Sequence, residues 1–163
     1  MRLRVKAGQQ GFSLVELMVV VLIIGILVTI ALPTFMGART RAADRAAESS
    51  VRNALTAGRV VFSDHEDYGM ASLPALADVE GSLQWVDENT ASSDPTTISR
   101  NTSGGVLTLA SYSQSGKCFF LRDEPPQTTT YGSMQGATTG DCYAANDGAI
   151  ECRALFPSFD ARP

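Results

Sequence analysis

Gly11-Phe12-Ser13-Leu14-Val15-Glu16 leads into Leu17-Met18-Val19-Val20-Val21-Leu22-Ile23-Ile24, and no further charged side chain appears until Arg39. A helix rises about 1.5 Å per residue, so residues 17–38 extend about 33 Å, against about 30 Å for the hydrocarbon core of a bilayer. The stretch is long enough and apolar enough to span a membrane. Glu16 stands at its mouth. An acid inside a spanning helix costs about 2.5–3.5 kcal/mol on insertion scales, so a carboxylate kept at such a place points to a function.

Outward toward the N-terminus, residues 1–11 are short and polar and carry Arg2, Arg4 and Lys6 with no acid. An ordinary secretory signal needs small residues after its apolar run, and Thr29-Ile30-Ala31 is a poor version of that pattern. Neither a secretory signal nor a plain signal anchor calls for Glu16. Charge does not fix the orientation, because Arg39, Arg41 and Arg45 follow the run just as Arg2, Arg4 and Lys6 precede it.

Outward toward the C-terminus, Pro33 would bend or break an ordinary helix, yet a helical pattern resumes from about Thr34. Ala47, Val51, Leu55, Gly58 and Phe62 recur at helical spacing on one stripe, with Arg45, Glu48, Arg52 and Arg59 off it. The spacing predicts one helix that continues the apolar span into water and ends near Ser63-Asp64, before Tyr68-Gly69. Residues 83–86, 106–112 and 118–122 read as strands, the last two forming a hairpin across Gln114-Ser115-Gly116. From Asp123 onward, Pro125-Pro126, Thr128 to Thr130 and several glycines read as a long loop region.

The basic leader, Gly11, Phe12, Glu16 four residues later and the uncharged run together closely resemble the cleavage and assembly motif of type IV prepilins. The resemblance is strong over residues 1–40 and extends to the general layout of the rest. It implies that a membrane prepilin peptidase cuts between Gly11 and Phe12 and that the new amino group of Phe12 is methylated, keeping its positive charge. Gly11, without a Cβ, lets its backbone approach a protease closely. By the same resemblance, Glu16 of an incoming subunit pairs with the Phe12 amine of a neighbour and sets the register between copies. Gly25 and Pro33 sit where the family has them, at a stretch that is extended in assembled pili; Gly and Pro are also common in membrane helices generally. The chain is thereby expected to form a homopolymer, with inner-membrane pilus assembly machinery and minor pilins as partners and the lipid bilayer as its surroundings before assembly.

Three cysteines, Cys118, Cys142 and Cys152, lie in the last third with no CxxC pair and no ligand spacing for zinc. In an exported domain they suggest one disulfide and one remaining thiol. Many pilins staple a C-terminal loop, which favours Cys118 to Cys142; Cys142 to Cys152 is the rival, and the sequence does not rank the two. The net charge is −4, and loss of residues 1–11 removes three positive side chains and moves it to −7. An acidic surface disfavours bulk binding to nucleic acid.

Asp123, Asp141 and Asp147 are considered as a calcium set and Asp64-His65-Glu66-Asp67 as a metal or acid–base cluster, but solvated carboxylates account for both. Asn101-Thr102-Ser103 fits a glycosylation acceptor pattern. With no phosphate loop, nucleophile constellation or cofactor fingerprint, the reading is a non-enzyme with no cofactor and no metal.

The expected fold is α+β: a long N-terminal helix, transmembrane in its first half and amphipathic in its second, packed on a small antiparallel sheet. The expected division is a leader over 1–11, a helix over 12–62 with its membrane and assembly segment at 12–35, and a head over 63–163 closed by a disulfide-stapled loop. The expected role is a structural subunit of a surface filament serving adhesion, motility or DNA uptake, made as a single-pass precursor in the cytoplasmic membrane. A pseudopilin of a secretion or competence system is the neighbouring alternative. A monomeric membrane-anchored binding domain is the alternative of a different kind.

Overall fold

A computed structural model describes residues 11–126, 129–135 and 137–144. It falls into two compact units, Met1–Arg39 and Thr40–Pro163. In the first, residues 11–13 are irregular and helix α1 (Leu14–His65) begins, continuing without interruption through Pro33. Glu16 lies in its first turn, where a negative charge is favoured by the exposed N–H groups of the helix end.

The second unit is built on the later part of α1, a 3-10 turn at Tyr68–Met70, helix α2 (Leu73–Val79) and strands β1 (Gln84–Val86), β2 (Thr97–Asn101), β3 (Leu107–Ser113), β4 (Lys117–Asp123) and β5 (Thr130–Gln135). Ala47, Val51, Ala54, Leu55, Ala57, Gly58 and Val61 form the buried face of α1, which is the stripe that the spacing predicts. Phe62 is half-buried and sets its ring against Tyr68, centroids 4.7 Å apart. Small residues dominate this face, so the helix lies close to the side chains it covers: Ile98, Leu107, Leu109, Phe119 and Leu121. The helix ends where Glu66 turns to a left-handed φ of 54°, its N–H donating to the Phe62 carbonyl at 2.6 Å.

Strand order is β1-β2-β3-β4-β5. The β3–β4 hairpin closes through Gln114, Ser115 and Gly116, and Gly116 takes a φ of +83° that a side chain would resist. Alternation along β4 sends Phe119 and Leu121 to the helix side, while Cys118 and Phe120 face a second cluster with Ala110, Ala137, Cys142 and Ala144. The disulfide joins Cys118 to Cys142, with Cα atoms 5.4 Å apart. It holds the 142–144 segment over that second face, where the Cys142 carbonyl accepts from the Ser92 N–H at 2.7 Å and the Ala144 N–H donates to Ser99 Oγ at 2.9 Å. Cys152 lies outside the described residues.

The structure departs from the sequence reading in four places. The sheet is mixed, because β1 runs parallel to β2. The ten residues that bring the chain back are held by side chains in place of a crossover helix: Asp94 accepts from the backbone N–H groups of Thr96 and Thr97 at 2.7 and 3.1 Å, and Asp87 from that of Asn89 at 3.0 Å. The Thr96 hydroxyl foremost, then the Thr96 N–H and the Thr97 and Ser93 hydroxyls, take the Asp94 carboxyl down to about 2 against the effect of burial. Second, β2 and α2 are elements that the apolar pattern did not announce. Third, residues 130–135 are not loop but β5, paired antiparallel with β4 from Arg122↔Thr130 to Lys117↔Gln135. Fourth, Asn101 sits in β2 at 6% exposure, which takes it out of reach as a glycan acceptor.

Candidate functional site

The candidate site is the surface of residues 11–36. Every large apolar side chain from Phe12 to Met36 is exposed, Phe12 at 82% and the helix residues between 46% and 74%. Among the described residues, this helix is the one long and apolar enough to cross a membrane. An apolar surface of this extent is unfavourable in water and marks a surface made for lipid or for another protein chain.

Around the expected cut, the Gly11–Phe12 bond lies before the first turn of α1, which opens with the Leu17 N–H donating to the Ser13 carbonyl at 3.2 Å. A Cβ built on Gly11 meets nothing within 4 Å, so the chain's own packing does not require glycine there. The same holds for Gly25. That glycine leaves a shallow notch along one side of α1 between Val21, Leu22, Ile26 and Thr29. Its carbonyl accepts a bond from the Thr29 hydroxyl at 2.8 Å. Pro33, lacking an N–H, offers nothing to the Thr29 carbonyl one turn back. Residues 25–33 thus combine a glycine, a side-chain bond that competes with the backbone and a missing backbone bond, within a helix that is intact in this structure.

Two polar anchors on the second unit were not singled out from sequence. Asp44 accepts from Lys117 Nζ at 2.7 Å, from Ser113 Oγ at 2.8 Å and from the Ser115 hydroxyl, tying α1 to the β3–β4 turn. Burial works to raise its pKa, but Lys117 and the two hydroxyls outweigh burial and leave it below the ordinary value. Asp123, almost wholly buried, accepts from Arg59 at 2.8 Å, from the Thr129 hydroxyl and from the Tyr68 hydroxyl. Burial and the neighbouring carboxylate push the Tyr68 hydroxyl well above its ordinary value; Asp123 itself, against the effect of burial, is held low by Arg59, Thr129 and Tyr68. The spacing of Arg59 off the apolar stripe was visible; its partner 64 residues away was not.

Asp123 is therefore engaged inside the head, and Asp141 accepts from the Thr138 N–H and hydroxyl; Asp147 lies outside the described residues. Asp67 caps the 3-10 turn through the Gly69 N–H at 2.7 Å, and Asp64, His65 and Glu66 are exposed beside it. Among the described residues, no three His, Cys, Asp or Glu side chains are grouped so as to hold a metal ion.

One comparison with known proteins overlaps this surface. Residues 6–32 match the prokaryotic N-terminal methylation motif. The chain is also 38% identical over 65 residues to the type IV major pilin protein PilA of Myxococcus xanthus (strain DK1622). That match takes in 40% of this chain and 30% of the relative, so the chain spans under a third of the relative's length. No solved structure matches.

Proposed function

We propose that this chain, whose N-terminal segment is that of the type IV pilin family, is a structural subunit of a type IV pilus, cut after Gly11, methylated on the Phe12 amine and polymerised through residues 12–35. The observation that carries the reading is the unbroken exposure of apolar side chains from Phe12 to Met36. Before assembly a bilayer covers them; in the filament, helices of other copies do so. Repetition of one such contact along a screw axis gives an open polymer.

Leader removal does chemical work in this scheme. It turns the amide nitrogen of Phe12 into a cationic amine beside an apolar stem that already carries Glu16. A carboxylate in such a stem is tolerated when a cation and hydrogen bonds satisfy it, and breaking a buried pair of this kind costs about 3–5 kcal/mol. The Phe12 amine of one copy and Glu16 of the next satisfy each other only in correct axial register. Residues 1–11 are the leader, the mature chain starts at Phe12 just before α1 (Leu14–His65), and the head follows that helix; the precursor sits in the cytoplasmic membrane and the product on the cell surface. Prepilin peptidase and an inner-membrane assembly machine act on it, with minor pilins as companions.

Mass spectrometry of the mature N-terminus tests this directly. The expected terminus is Phe12 carrying one methyl group, with Gly11→Ile left as uncut precursor in the membrane. Intact Met1 in wild-type filament material would overturn the reading. Long surface fibres lost on deletion support the pilus, whereas loss of export or transformation with no fibres to lose would assign the chain to a pseudopilin.

A further inference from the structure

We infer that Arg41 and Arg45 form a short collar that binds the phosphates of anionic phospholipid headgroups while the chain is still unassembled. The inference rests on the membrane reading of residues 12–35. It adds a ligand class to the point where the chain leaves the bilayer.

Arg41 and Arg45 are both exposed on α1 and stand four residues apart, so their guanidinium groups share one side of the helix. Like charges at this spacing destabilise a helix unless an anion lies between them. Asp44, the acid nearest in sequence, is not that anion: Lys117, Ser113 and Ser115 hold its carboxylate. The ion pairs Arg59–Asp123, Lys117–Asp44 and Arg122–Glu124 leave Arg41 and Arg45 out, and no carboxylate among the described residues pairs with either. Arg59, on the same helix, shows the contrast, since it has its own buried acid.

Depth and charge then select the partner. The uncharged run of residues 17–38 measures about 33 Å as helix, so the arginines that follow it emerge at headgroup level. Residues 46–163 carry fifteen acidic and seven basic side chains, a net −8 that an anionic leaflet repels. The collar supplies the opposing attraction where the stem crosses the interface. Guanidinium suits phosphate because it donates two parallel bonds to one group.

The test uses the full chain in detergent, offered equal amounts of phosphatidylglycerol and phosphatidylcholine, with retained lipid counted by native mass spectrometry. Wild type is expected to retain the anionic lipid in about fivefold or greater excess. Replacing Arg41 and Arg45 together by Gln should lower that excess about threefold or more, Arg2, Arg4 and Lys6 at the other mouth of the span supplying what is left, with the near-ultraviolet circular dichroism of the head unchanged, and Lys at the two positions should keep part of the preference. Equal retention by wild type, or an undiminished preference in the Gln variant, overturns the inference. So does displacement of the bound lipid by inorganic phosphate alone, which would assign the collar to free phosphate. So does a salt-sensitive filament from a wild type without lipid preference, which would assign the collar to the acidic head of a second copy. A chain that fails to enter micelles at all would instead sink the membrane reading.

Discussion

The two ends of α1 spend their apolar residues differently. Between Phe12 and Met36 the large side chains are Leu, Ile, Val, Met and Phe, and all are exposed; between Ala47 and Val61 the inward residues are mostly Ala, Val and Gly, and all are buried. Bulk without a partner marks a surface built for something outside the chain, and small residues under full cover mark close approach to the chain's own sheet. One helix thus holds an outward-facing apolar surface, proposed above for assembly, and a folding surface, and substitutions should separate the two cleanly.

The largest effect expected is a crossed pair. In the proposed filament contact Glu16→Ala removes a charge partner; a loss of about 3 kcal/mol per contact corresponds to roughly a hundredfold in its equilibrium constant. Filament yield should collapse while Phe12 is still exposed by cleavage and the melting temperature of the head stays that of wild type. Phe119→Ala does the reverse at the source, emptying a wholly buried position for about 3–5 kcal/mol of head stability. Sheared-filament yield and thermal unfolding of detergent-solubilised chain read the two effects. A head destabilised by Glu16→Ala would erase the distinction between the two ends.

Next in size is the staple. Opening Cys118–Cys142, by reductant or by Cys118→Ser, frees a loop closed across 24 residues and should cost about 3 kcal/mol. The segment at 142–144 should lose protection first in hydrogen exchange, since its bonds to Ser92 and Ser99 depend on the bridge for placement. Unchanged exchange there would make the bridge an ornament of a self-supporting loop.

Smaller again is an acid limb that belongs to the head. Asp123 has a folded pKa below its ordinary value, so its contribution is present above about pH 4 and is lost as pH falls through the folded pKa. Stability should decline below about pH 4, and Asp123→Asn should cost about 1–3 kcal/mol at neutral pH while flattening that decline. Asp44 and Asp94 are shifted in the same direction and keep the limb from vanishing altogether. An undiminished acid limb in the Asp123→Asn protein would remove Asp123 from this account.

What the sequence made legible follows the same division. The apolar first half of α1 could be read residue by residue, because its length, its apolarity and its lone acid are local features. The helix stripe and the β3–β4 hairpin were legible for a similar reason, through period and turn chemistry. β2 was not: Thr97, Ser99 and Asn101 are buried polar residues that break an apolar pattern, and Ser99 is satisfied from a distance, its Oγ donating to the Asp87 carbonyl at 3.0 Å and accepting from the Ala144 N–H at 2.9 Å. β5 carries Thr, Gly, Ser and Gln and is a strand because β4 supplies its ladder. The parallel return of β1 and β2 rests on side-chain bonds from Asp87 and Asp94, which no periodicity announces.

The smallest effect concerns two glycines of α1 that look equivalent in sequence. A Cβ on Gly25 meets nothing within 4 Å, so Gly25→Ala should leave the head untouched and strengthen the helix by up to about 1 kcal/mol. A Cβ on Gly58 lands 2.3 Å from Leu107 Cδ2, and Leu107 is wholly buried. Its methyl group must then move inside a packed core, at about 1–3 kcal/mol, against the same helical gain of about 1. Gly58→Ala should therefore lower head stability by about 1 kcal/mol, measured by denaturant unfolding, where Gly25→Ala does not. Should Gly58→Ala stabilise instead, Leu107 turns aside freely, and the close approach of α1 to β3 is looser than the small residues on its face imply.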